Sequence, residues 1–102
     1  MIEDILKDVR EAVAKHTEDI IKEKGLFNSD HEFYAVLKEE QEEVKVEYVR
    51  ALDEIDRVWG KIKESDEKLD DGIIPQSIYW ELLASEAIQC AAVCEKLRRQ
   101  KQ

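Results

Sequence analysis

The chain has 102 residues, 40% charged and 43% hydrophobic, with three glycines and one proline. That length supports one domain over 1–102, and that composition favours long helices over the turn-rich make-up of an all-β fold. A net charge of −9 excludes direct nucleic-acid binding by phosphate neutralisation and points towards cations.

The first helix is predicted from Ile2 to about Lys24, where Ile2, Ile5, Leu6, Val9, Val13 and Ile20 recur at helical spacing. Gly25 follows where a left-handed residue would end the helix. The opening MIEDILKD mixes acids with apolar residues, and no apolar run approaches the ~20 residues needed to cross a bilayer. No membrane partner and a cytoplasmic location are expected.

After a short connection, Ser29 to Glu32 has the capping-box form, in which the serine oxygen accepts from the backbone amide of Glu32 and the glutamate reaches back. The second helix therefore starts near Asp30. Its apolar seam, Leu37, Val44, Tyr48, Leu52, Ile55, Trp59 and Ile62, is close to a heptad and carries the helix to about Glu64. Roughly 35 residues at 1.5 Å each give about 52 Å, whereas a compact domain of this length has a radius of gyration near 13 Å. Either the helix breaks near Gly60, or its far end packs on another copy of the chain. The aromatic seam residues favour the second, a dimer or tetramer.

The stretch 65–72, SDEKLDDG, reads as a polar connector, and Pro75 suits the first turn of a third helix. That helix carries Ile78, Tyr79, Leu82, Leu83, Cys90, Val93, Cys94 and Leu97 on one face and ends in KLRRQK, whose charge complements the helix dipole. Cys90 and Cys94, one turn apart, read as two buried thiols; His16 and His31 do not complete a soft-metal pattern. The expected fold is all-α: three long helices in an antiparallel bundle, completed by oligomerisation.

Carboxylates interrupt these apolar faces. Glu40 lies three residues after Leu37 and four before Val44, and Glu43 is one turn further along. Glu86 sits inside the apolar stripe of the third helix, three after Leu83 and four before Cys90, with Gln89 as its i+3 neighbour. Ionised carboxylates leave water at a cost of several kcal/mol unless compensated, and a divalent cation is the natural compensator. Mg²⁺ or Mn²⁺ is expected, held by hard oxygen ligands from two facing helices. Glu39, Glu42 and Glu47 read instead as a solvated face pairing with Lys38, Lys45 or Arg50.

Leu37 to Val44 (LKEEQEEV) has the form L-x-E-E-x-x-E-[LV], and with Ser85 to Val93 (SEAIQCAAV) it resembles the MazG-like, all-α nucleoside triphosphate pyrophosphohydrolases. His31 to Glu40 and Glu86 to Ala92 are similar to the short members found in phages and low-GC bacteria. The likeness spans roughly residues 29 to 98. It implies bundles of two or four chains and Mg²⁺-dependent hydrolysis of a nucleoside triphosphate to the monophosphate and pyrophosphate. By position, Glu40 and Glu43 match the first two metal ligands and Glu86 the third, with Glu40 or Glu43 orienting the attacking water. Glu39 matches the less essential leading glutamate.

Two departures stand out. The fourth family position, an aspartate in E-x-x-D, is Gln89, whose amide oxygen can coordinate a cation but brings no charge and cannot act as a base. The stretch between Glu43 and Glu86 is also longer than the family spacing. Glu67 and Asp70 fit E-x-x-D at a more usual distance, but their polar surroundings offer no face to pack on the second helix. Lys38, Arg50 and Lys96 are the candidate cations for the phosphates, and surface salt bridges explain them equally well. Substrate-binding residues are not read from this sequence. The competing class is a non-catalytic oligomerisation module with a structural or vestigial cation site, favoured by Gln89. An acidic DNA mimic would fit the charge but leaves Glu86 unexplained.

Overall fold

The computed structural model describes residues 1–64 and 76–102, which form three helices: α1 (Ile2–Lys24), α2 (Asp30–Glu64) and α3 (Ser77–Gln100). The chain is all-α, and no described helix is long and apolar enough to cross a membrane. The connector and its turn signal, Pro75, and the Glu67–Asp70 pattern lie outside the described residues.

The punctuation works locally as its chemistry requires. Gly25 ends α1 at φ +74°, with its amide donating to the Ile21 carbonyl at 2.7 Å. A Cβ there would meet nothing within 4 Å, so the glycine serves the positive φ and not a close approach. The Glu32 amide donates to Ser29 Oγ at 3.1 Å, giving the first half of the capping box. The Glu32 carboxylate accepts from Asn28 Nδ2 at 3.0 Å, so the glutamate steadies the loop side chain.

α2 runs unbroken through Gly60, the outcome in which the helix outreaches its own domain. The long axis of the molecule is 58 Å and the radius of gyration 17.8 Å, well above the ~13 Å of a compact globule of this length. α3 packs against both other helices, whereas the Cα atoms of α1 and α2 stay more than 8 Å apart.

The buried core is thin: Thr17, Phe27, Ala51, Ala92 and Val93, together with Lys96. Thr17 tolerates full burial because its hydroxyl donates to the Val13 carbonyl at 2.6 Å. Phe27 anchors the α1–α2 loop on the end of α3. The Gln100 side chain brackets its backbone, the Phe27 amide donating to Oε1 at 2.8 Å and Nε2 donating to the Phe27 carbonyl at 2.6 Å. Phe33 meets the Phe27 ring edge-on at 5.5 Å between centroids.

Much of the apolar surface is uncovered. Tyr48, Leu52, Ile55, Trp59 and Ile62 on α2 are exposed, as are Ile78 and Leu82 on α3 and the first turns of α1. Only part of the expected α3 face is sheltered: Val93 is buried, while Tyr79, Leu83, Cys90 and Leu97 are half-buried. The reading of two buried thiols fails at Cys94, which is exposed. It lines an open groove of about 590 Å³ between α1 and α3, with Leu6, Val9, Val13 and Ala91.

Candidate metal centre

The carboxylates that intrude on the apolar stripes of α2 and α3 meet. One oxygen each from Glu40, Glu43 and Glu86 lies within 4.8 Å of the others, the one such gathering of histidine, cysteine or acidic side chains among the described residues. The spacing explains the meeting. Glu40 and Glu43 lie three apart on one face of α2, and Glu86 projects from the middle of α3 across the seam.

Burial differs among the three. Glu40 and Glu86 are half-buried, while Glu43 is exposed at the mouth. Glu40 Oε2 and Glu86 Oε2 are buried and accept no hydrogen bond. Such an orphaned acceptor costs about 1–3 kcal/mol. Burial, then the charges of Glu43 and Glu86, raises the Glu40 pKa. Burial, then the contact with Glu43 and the charge of Glu47, raises that of Glu86. Protons or a cation are the two remedies for this crowding.

The donor set fits a hard divalent cation. Octahedral Mg²⁺ at about 2.1 Å per bond places opposite ligands about 4.2 Å apart. A spread of up to 4.8 Å closes with small side-chain adjustments, and three carboxylates leave further positions for water or ligand. Burial, then the charges of Cys94 and Glu40, pushes the Cys90 thiol pKa up.

Gln89 is half-buried and joins Glu40, Val36, Val93, Phe27 and Lys96 in the wall of a cavity of about 200 Å³. On the other side, Glu43 and Glu86 share a shallow pocket with Glu42, Val46 and Glu47. Lys38 and Glu42 form a surface pair at 3.5 Å, as expected of a solvated face. Glu47 departs from that expectation. It pairs with Arg50 at 3.2 Å, yet its side chain is only 16% exposed and its charge bears on Glu86. Its place one turn after Glu43 was the available signal.

Lys96 departs too. A surface salt bridge does not explain it: the residue is 5% exposed, with Nζ 3.8 Å over the Phe27 ring. Burial, partly offset by the charge of Glu32, lowers its pKa.

Comparison with protein-family models, with curated proteins and with solved structures finds no match for this chain.

Proposed function

We propose that this protein is a Mg²⁺- or Mn²⁺-dependent pyrophosphohydrolase acting on a nucleoside triphosphate, as in the MazG-like proteins it resembles. The observation that carries this reading is the convergence of two orphaned, buried carboxylate oxygens, Glu40 Oε2 and Glu86 Oε2, beside Glu43. When bound, a divalent ion supplies positive charge to phosphate oxygens and acidifies a coordinated water. Glu40 and Glu86, fixed in the α2–α3 seam, would hold it. Glu43, at the mouth, would complete the set with one carboxylate oxygen and with the other take the proton of the water that attacks the α-phosphorus as pyrophosphate leaves. The Gln89 amide serves as a neutral fourth ligand.

The reading includes an antiparallel arrangement of α2 and α3. Its support is the reversed order of facing residues, Glu32 sharing a cavity with Lys96 and Glu47 a pocket with Glu86. It also includes a cytoplasmic homodimer or homotetramer, supported by the uncovered seam from Tyr48 to Ile62.

Gln89 favours a second reading, an oligomerisation module whose cation site is structural or vestigial. Pyrophosphate release from a panel of nucleotides, with and without Mg²⁺, separates the two. Release only with Mg²⁺ supports the hydrolase. Metal-linked stabilisation without release supports the module.

A further inference from the structure

The cavity beside the carboxylate cluster holds an opposite charge that the metal reading leaves unused. Lys96 is as buried as the core residues around it, yet it makes no hydrogen bond or ion pair among the described residues. A buried ammonium is normally paired. Glu32, whose charge bears on it most, is already bonded to Asn28. Lys24 stands in the same wall, along with Glu32 and Glu39.

Glu40 lines this cavity and also belongs to the carboxylate cluster, so the two adjoin at its side chain. Gln89 and Lys96 are two helical turns apart, about 10.5 Å of rise. Both line the cavity, the lysine with its Nζ over the Phe27 ring. A ligand that satisfies both ends is positive at the carboxylates and negative at the lysine. A metal ion carrying a bound anion has that polarity. A chain of two or three phosphates carries negative charge further from a bound metal than a lone phosphate does.

We propose that Lys96 is the phosphate-recognising residue of this site and that the cavity takes an oligophosphate as its divalent-metal complex, the metal at Glu40, Glu43 and Glu86 and the outer phosphates at Lys96. This rests on the metal reading above. It also explains how a chain of net charge −9 accepts a polyanion: the ion neutralises part of the ligand before it enters.

Calorimetric titration of inorganic pyrophosphate into the protein at saturating Mg²⁺ tests the assignment. Lys96→Met keeps the buried stem and removes the charge; it should weaken pyrophosphate binding at least tenfold while leaving the Mg²⁺-induced rise in Tm unchanged. Lys96→Arg should bind within about threefold of wild type, as should Lys38→Met, which removes an exposed charge elsewhere on α2. If Lys96→Met does not fold, Lys96→Gln stands in its place. Wild-type affinity in the charge-removed variant overturns the assignment and leaves the metal reading intact. Equal pyrophosphate binding with and without Mg²⁺ overturns the bridged ligand. A wild-type Tm indifferent to Mg²⁺ overturns the metal reading, and this inference with it.

Discussion

Glu40 and Glu86, on different helices, each turn a buried carboxylate oxygen without a hydrogen-bond partner into the same seam. Two like charges meeting away from water are a standing destabilisation, and each remedy for it is measurable.

Metal is the first remedy. A ligand that binds only the folded state at one hundred times its Kd adds about 2.7 kcal/mol, on the order of 10 °C in Tm for a domain of this size. Millimolar Mg²⁺ or Mn²⁺ should produce such a shift in a thermal melt, and Na⁺ at equal ionic strength much less. Glu40→Gln or Glu86→Gln should remove the difference between the salts and leave the metal-free Tm unchanged or higher. Glu42→Gln should behave as wild type.

Protons are the second remedy. The folded-state pKa values of Glu40 and Glu86 are raised above the ordinary 4.5, so the folded protein binds more protons than the unfolded chain just above that pH. Their favourable contribution is complete below pH 4.5 and is lost as pH rises through the folded values. Metal-free melts should therefore show Tm falling from about pH 4.5 upward, with a shallower fall in Glu40→Gln. Glu95 acts oppositely: hydrogen bonds and charge from Arg98, then Arg99, lower its pKa to about 2. Its contribution is present above pH 4.5 and disappears as pH falls towards 2.

Gln89→Asp adds a fourth carboxylate beside Glu40. The hydrolase reading expects tighter Mg²⁺ in a calorimetric titration and faster pyrophosphate release. A glutamine that matters only for packing predicts a lower Tm with neither gain.

The uncovered seam on α2 leads to a mass of two or four times 11.9 kDa in light scattering after size exclusion. Trp59 is 56% exposed, so Trp59→Glu disturbs little within one chain. It should shift the protein to the monomer mass with its helical circular dichroism retained. A wild-type monomer at low micromolar concentration would remove the oligomer from the proposal.

The amide clamp of Gln100 on Phe27 is two hydrogen bonds, each contributing about 0.5–1.5 kcal/mol net. Gln100→Ala should lower Tm by several degrees and leave the Mg²⁺-dependent shift untouched, because the clamp sits at the far end of α3 from Glu86.

Helix limits were legible because single residues set them: Gly25 stops α1 and Ser29 starts α2. The carboxylate cluster was legible for a related reason, since an acid at i+3 or i+4 within an apolar stripe must face whatever that stripe faces. Periodicity states which residues share a face but not whether a partner covers it. Cys94, Ile78 and Leu82 were therefore assigned to a sheltered face and lie exposed. Lys96 was read with the basic run that ends α3, and local charge pattern carried no sign that Phe27, distant in sequence, would cover it. Glu47 was grouped with its solvated neighbours, although its burial depends on how closely α3 approaches.

That α3 alone joins the other two helices gives the chain an order of assembly. During synthesis α1 and α2 emerge first, with backbones that do not pack on each other in the finished protein, and each must wait for the last helix to give it a partner. The Phe27–Gln100 bonds span 73 positions, so the loop they close takes in α2 and α3 together, and its closure entropy must be overcome before either contact rewards it. Folding should thus be a late, concerted event set by the arrival of α3, which leaves the apolar seam of α2 open to a sister chain throughout that interval.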